Sequence, residues 1–394
     1  MYQRHYLETL RKRMLEPRRF IQVISGPWQI GKTTLVKQIL EQIKLPSIYL
    51  SADGQIDTSE LWINNAWERA RLQLKNDKTT EIILCLDEIQ KIDNWSEYIK
   101  KEWDQDTLNN IPIKLILLGS SRLLIQEGLS ESLAGRFESI SMSHWSCSEM
   151  HDAFEMTPDM YVYFGGYPGA FELVDDETRW KDYVRDSLIE TAISRDIFQM
   201  TKINKPALLR RLFDLSANYS GQIISYTKIL GQLQDAGNTV TIAHYLNLLS
   251  TAGLIGGIEK YSAQKLRQRS SSPKLQVYNT AITGSLSNML FKEAREMPDY
   301  WGRLVESAVG SHLINSAYIN DINLYYWRDR NMEVDFVMEN QNRMVALEVK
   351  SGRKKIASGL PEFAKRFPGS KTLVIGTGGI PWETFLNTDP LQLF

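Results

Sequence analysis

Short continuous apolar runs alternate along this chain with longer stretches in which apolar residues recur every three or four positions. Ile21 to Ile24, Ser47 to Leu50, Ile82 to Leu86 and Lys114 to Leu118 read as short strands. Between them the helical period takes over. Lys32 onward carries Leu35, Val36, Ile39 and Leu40 on one face, and Leu61 to Leu74 carries Trp62 and Trp67. A further helix, Tyr2 to Met14, has Tyr6, Leu7, Leu10 and Met14 on one side and basic residues opposite, with Pro17 ending it. The two tryptophans read as core or contact residues, because only Arg69 and Arg71 interleave them where a base-stacking platform needs more positive charge.

The second half changes rhythm. Tyr161 to Asn204 is helical in pattern, with Trp180, Tyr183, Val184, Leu188, Ile189 and Ile193 repeating, and is expected to be a helical lid and connector. Helices over Ala207 to Tyr219, Tyr226 to Leu233 and Thr239 to Thr251, then a hairpin arm at Leu254 to Tyr261, make a winged helix-turn-helix. Its third helix offers Thr241, His244, Asn247 and Ser250 but no lysine or arginine, which favours a structural or protein-binding role over sequence-specific DNA reading. Between Lys260 and Lys292 there is no acidic residue, while Lys260, Lys265, Arg267, Arg269, Lys274 and Lys292 supply positive charge. That run reads as a solvated linker around Ser270, Ser271, Ser272 and Pro273, with nonspecific phosphate binding as the alternative. A helix over Tyr300 to Ile314 and strands at Leu324 to Trp327, Glu333 to Val337, Met344 to Lys350 and Lys371 to Ile375 complete the chain.

At 394 residues the chain is expected to form two or three domains, at about 150 residues each. Its 43% hydrophobic and 24% charged residues are those of a globular protein, and a net charge of −1 excludes an overall basic coat for nucleic acid. Cys85, in an apolar strand, and Cys147, in a polar turn, give neither a disulfide framework nor a metal-ligand spacing, so a cytoplasmic setting is expected. No window has the length of apolar residues that crosses a bilayer, so no membrane partner is expected.

The chemistry is concentrated at four places. Gly26-x-x-x-x-Gly31-Lys32-Thr33, between a strand and a helix, has the spacing of a phosphate-binding loop, so Gly26, Pro27, Trp28, Gln29, Ile30, Gly31, Lys32, Thr33 and Thr34 are candidate ATP contacts. Lys32 is expected to neutralise the β and γ phosphates, and Thr33 to offer its hydroxyl to Mg²⁺. The next strand ends in Asp87, a candidate for the Mg²⁺ shell, and Glu88, a candidate to polarise the attacking water. Beyond the fourth strand, Ser120 or Ser121 can reach the γ-phosphate or the water, and Arg122 follows. Arg136 can reach a neighbouring subunit's γ-phosphate or form a local ion pair. Finally, Asp335 followed by Glu348-x-Lys350 on the next strand is the signature of a PD-(D/E)xK nuclease-like core, with Glu306 from the preceding helix completing a Mg²⁺ set and Lys350 orienting or deprotonating water. Arg328, Arg353, Lys354 and Lys355 flank it, facing nucleic-acid phosphate or forming a charged turn.

The segments GPWQIGKTT, LCLDEIQKIDNW, LILLGSS, SLAGRF and FGGYPGA together resemble bacterial and archaeal AAA-type ATPases that join an AAA_14-like domain to a DUF4143 C-terminal region. That resemblance implies an α/β fold with a parallel P-loop sheet in the order 5-1-4-3-2, a helical lid, a winged helix, and a C-terminal α/β domain of restriction-endonuclease type. It implies a P-loop ATPase core over residues 1–150, a lid and connector over 151–204, a winged helix over 205–262 and the nuclease-like domain over 263–394. It also places Gly166, Tyr167 and Pro168 at a turn against the adenine. The chain departs from the family at Trp28, where arginine is common, at His144 and Trp145, which replace a Pro-Leu pair, and at Asn279 and Ala281, which stand where the family usually shows Asp and Gly. The expected activity is Mg²⁺-dependent ATP hydrolysis coupled to DNA or RNA processing. The alternative is an ATP-driven regulatory switch or scaffold that binds a protein partner, with an inactive nuclease fold; a homo-oligomer is a separate candidate assembly.

Overall fold

The computed structural model describes residues 2–54, 59–77, 79–119, 129, 132–198, 203–233, 237–262, 271–350 and 358–394. Two compact units result, Met1–Met142 and Ser143–Phe394.

The first unit is built on a five-stranded sheet of β1 (Ile21–Ser25), β2 (Ser47–Ser51), β3 (Ile82–Asp87), β4 (Ile113–Gly119) and β5 (Phe137–Ser141). Every pairing is parallel, in the order β2-β3-β4-β1-β5, which from the other edge runs 5-1-4-3-2. Strands β1, β3 and β4 are buried along their whole length. A parallel sheet covered on both faces requires this, and it is why these segments are continuous apolar runs rather than alternating ones. Helices Glu60–Asn76 and Trp95–Leu108 cover one face, packing Ile63, Trp67, Ile99 and Trp103 over the central strands. Trp67 is fully buried and its indole donates to Asp106 at 2.8 Å. Arg71, next along that helix, pairs with Asp106 at 2.6 Å and Glu102 at 2.8 Å, so its charge is spent inside the unit. The helix Tyr6–Leu15 buries the four apolar residues that the sequence pattern assigns to its inner face.

The second unit holds a six-stranded mixed sheet of β6 (Ile255–Lys260), β7 (Lys274–Val277), β8 (Asn323–Asp329), β9 (Met332–Asn340), β10 (Arg343–Lys350) and β11 (Lys371–Gly376), ordered β11-β10-β9-β8-β6-β7. The three helices of the expected winged module form at Pro206–Asn218, Tyr226–Gln232 and Thr239–Thr251. The wing, however, does not stand alone. Strand β6 pairs antiparallel with β7 and parallel with β8, so a boundary at 262/263 would cut through one sheet. Cys147 opens the helix Cys147–Phe154 rather than lying in a turn, behind a capping box of Ser146 and Glu149. The 161–204 segment is also less regular than its period suggests. The helix Glu177–Asp182 widens into π-helical turns at Tyr183–Ile189 and Ala192–Ile197. Trp180, Val184, Leu188, Ile193 and Ile197 are all buried. Their spacing of four to five residues exceeds the α-helical turn, and the wider coil keeps them on one face.

Among the described residues no helix is long and apolar enough to cross a membrane. Two helices of the second unit, Pro158–Phe164 and Ala281–Leu286, meet by close backbone approach. A Cβ on Gly284, in the helix Ala281–Leu286, would lie 2.1 Å from the carbonyl oxygen of Tyr163, a backbone atom with nowhere to retreat. Gly284→Ala is therefore expected to lower stability by about 1–3 kcal/mol despite alanine's better helix propensity, read as a lower urea midpoint at unchanged slope.

Candidate functional site

Strand β1 delivers the chain into a loop whose geometry admits little beyond glycine at its first position. A Cβ on Gly26 would meet the carbonyl oxygen of Met142 at 2.3 Å and the Ile30 side chain at 2.7 Å. Gln29 and Gly31 take positive φ values of 60° and 91°, and Gly31 is the N-cap of the helix Lys32–Gln42. Ile30 is fully buried and anchors the loop from below. Arg4 donates to the Ile30 carbonyl at 3.3 Å. The Lys32 ammonium folds back over the loop and donates to the carbonyls of Gly26 and Pro27, each at 2.8 Å. Trp28, in the same loop, buries its indole N–H without a hydrogen-bond partner among the described residues. Thr33 and Thr34 occupy the first turn of the helix, where the helix dipole favours an anion.

Thr33 connects the loop to β3, since its hydroxyl donates to Asp87 Oδ2 at 3.2 Å. Asp87 is 7% exposed. Its Oδ1 accepts the Glu88 backbone N–H at 2.8 Å, and Tyr49 donates its hydroxyl to Oδ2. Glu88 turns away from the strand in the left-handed region at φ 53°, a conformation that costs a non-glycine residue energy and is kept where the surroundings demand it. Gln90 donates to its carboxylate at 2.6 Å. The sheet therefore brings together Lys32, Thr33, Asp87 and Glu88, together with Tyr49, which the sequence reading passes over. Burial and the neighbouring Asp87 push the Tyr49 phenol well above its ordinary range, so it stays protonated as a donor. The signal for Tyr49 was its place in β2, two residues before the register partner of Asp87.

Other candidates resolve differently. Ser120, Ser121 and Arg122 lie outside the described residues, as do Lys265, Arg267, Arg269, Arg353, Lys354 and Lys355. Arg136 makes the local ion pair, holding both oxygens of Asp104 at 2.8 and 3.0 Å in a bidentate fork. Pro168 opens a 3₁₀ turn, Pro168–Leu173, of the second unit. The glycines before it serve packing there: Gly166 N–H donates to Asn279 Oδ1 at 2.9 Å, and a Cβ on Gly165 would lie 2.1 Å from that oxygen. Asn279 also contacts His144 Nδ1 at 3.3 Å, and His144 Nε2 meets the Gly253 carbonyl at 2.9 Å. His144 and Asn279 are thus joined in one buried polar chain.

The C-terminal carboxylates already have partners within the chain. Lys274, read as part of a solvated basic linker, is fully buried on β7. Its ammonium lies 2.8 Å from Glu306 Oε1 and 3.5 Å from Asp335 Oδ1, with the Phe336 ring centroid at 4.5 Å. Burial disfavours its charge, but Glu306 and Asp335 outweigh that and hold the ammonium above its ordinary pKa. A lysine thus sits where Glu306 and Asp335 were expected to share a metal ion. Asp335 Oδ2 accepts the Val349 N–H at 2.7 Å, Glu348 accepts from the Ser358 hydroxyl, and Lys350 stands 3.7 Å from Glu348. Among the described residues no group of three acidic, histidine or cysteine side chains is placed to hold a metal.

Three family models match successive parts of the chain. Residues 18–151 match a family described as an AAA domain, AAA_14; residues 157–293 match a domain of unknown function, DUF8612; and residues 301–383 match another, DUF4143. An uncharacterized protein of Methanocaldococcus jannaschii is 26% identical over 347 residues, covering 82% of this chain and 73% of that one. An uncharacterized protein of Mycobacterium tuberculosis is 26% identical over 331 residues, covering 83% and 69%. Among solved structures, the Walker-type ATPase of Pyrococcus abyssi superposes with a TM-score of 0.46 at 13% identity, covering 73% of this chain and 96% of that one. The AAA match contains the Gly26–Thr33 loop and the Asp87–Glu88 pair, and the DUF4143 match contains Glu306, Asp335 and Glu348. The chain joins an AAA-type P-loop ATPase domain to a DUF4143 C-terminal domain.

Proposed function

We propose that the first unit binds and hydrolyses ATP with Mg²⁺, and that nucleotide state governs how the second unit engages a macromolecular partner. The observation that carries this reading is the hydrogen bond from Thr33 to Asp87, which joins a loop that admits little beyond glycine at its first position to the carboxylates at the end of β3. The residues suit a magnesium nucleotide. Lys32 would exchange its two carbonyl contacts for β and γ phosphate oxygens, and the loop N–H groups with the helix terminus would take the remaining phosphate charge. Thr33 and Asp87 would hold Mg²⁺, which supplies neutralisation of the phosphates. Glu88, the next carboxylate along, would orient and polarise water for attack.

In the second unit the alternative to a nuclease is the better reading. Glu306 and Asp335 already share a cation, Lys274, and a lysine cannot supply the water activation that a metal provides. The exposed positions of the helix Thr239–Thr251, which are Thr239, Val240, His244 and Asn247, include no lysine or arginine for phosphate, which supports a protein partner over DNA or RNA.

Lys32→Ala is expected to abolish ATP turnover, and Glu88→Gln to keep nucleotide affinity while lowering turnover by about 10²-fold or more, read by phosphate release beside binding of a fluorescent ATP analogue. Glu88→Gln turning over at the wild-type rate would remove Glu88 from the mechanism. Lys274→Met, which strands two carboxylates, is expected to cost about 3–5 kcal/mol of unfolding free energy, and adding Glu306→Gln should restore part of it. Metal-dependent nicking of DNA or RNA by the wild-type protein, abolished in Asp335→Ala, would overturn the lysine-neutralised reading.

A further inference from the structure

Asp87 is gripped by more donors than a phosphate loop alone provides. Its Oδ2 accepts from both the Thr33 and Tyr49 hydroxyls, and its Oδ1 from the Glu88 N–H. The strand register explains how the phenol arrives. In the β2–β3 pairing Ser51 lies beside Asp87 and Tyr49 beside Cys85, so Tyr49 and Asp87 share a face on the diagonal that an aromatic side chain can span. Tyr49 is half-buried and Asp87 buried, so the phenol also covers the carboxylate on its β2 side.

We propose that Tyr49 is a positioning residue for the magnesium nucleotide, fixing Asp87 in the rotamer that meets Thr33. The inference rests on the reading of the Gly26–Thr33 loop as a magnesium–ATP site. Two donors converging on one carboxylate oxygen set the rotation of the whole group. With the phenol gone, only the Thr33 hydroxyl, itself a rotor, holds that oxygen, and the carboxylate can turn to find another donor or water. Tyr49 acts through Asp87, so its effect belongs to the metal-dependent part of nucleotide binding and to no other part.

The test is Tyr49→Phe, which keeps the ring and removes the hydroxyl. A fluorescent ATP analogue is titrated into each protein once with Mg²⁺ and once in EDTA. Affinity with Mg²⁺ is expected to fall roughly fivefold to twentyfold, while affinity in EDTA stays within about twofold of wild type. In an Asp87→Asn background the same substitution is expected to add less than about twofold, because the anionic acceptor is already lost. Tyr49→Met, with similar reach and no donor, gives the same comparison if phenylalanine disturbs β2. A Tyr49→Phe protein that binds the magnesium nucleotide as tightly as wild type, or loses affinity equally with and without metal, overturns the role of Tyr49. Wild-type protein that binds no nucleotide under either condition instead overturns the site reading beneath it.

Discussion

Carboxylates drawn out of bulk water impose a constraint on both units: Asp87 at the end of β3, and Glu306 and Asp335, partly buried on a helix and in the middle of β9. An ionised carboxylate removed from water without partners costs several kcal/mol, so the neighbouring elements must each present a donor or a cation. Asp87 draws its donors from the helix after the phosphate loop, from β2 and from its own following residue. Asp335 draws on β7 and on the backbone of β10, and Glu306 shares the β7 lysine.

The two solutions differ in the charge they leave behind. The hydrogen-bond partners of Asp87 are hydroxyls and an amide, which satisfy its lone pairs and leave its negative charge in place beside a loop shaped for phosphate. At Glu306 and Asp335 the cation is covalently part of the chain, held on a β-strand under the helix Pro298–Asn320. The same residue types thus form a hydroxyl- and amide-bonded carboxylate in one unit and an ion cluster with a lysine in the other.

The three helices Pro206–Asn218, Tyr226–Gln232 and Thr239–Thr251, read from the sequence as a winged module, are set among their surroundings in a comparable way. They form where the apolar period puts them, with Ser225 and Asn238 as N-caps. The hairpin after them nevertheless continues into the C-terminal sheet through Glu259 and Lys260 beside Tyr325 and Tyr326. An element that would reach into a nucleic-acid groove in a free-standing module is committed here to main-chain pairing inside the unit.

How much of this was legible in the linear chain follows from the range of the interactions. Strands β1, β3 and β4, the helices with strong apolar periods, and the glycine loop with its lysine and threonine were legible because each depends on residues within a turn or a strand of one another. The resemblance to AAA-type ATPases rested on the glycine loop, β3 and β4 together with the short segments SLAGRF and FGGYPGA. Tyr49 as a partner of Asp87, Arg136 as a partner of Asp104, and Lys274 as the counter-ion of Glu306 and Asp335 were decided only in three dimensions, because each joins residues 32 to 61 positions apart. A lysine among serines and prolines looks solvated in sequence, since nothing nearby in the chain is acidic. Only the sheet, by laying β7 against the helix that carries Glu306 and near the strand that carries Asp335, makes burial of that charge favourable.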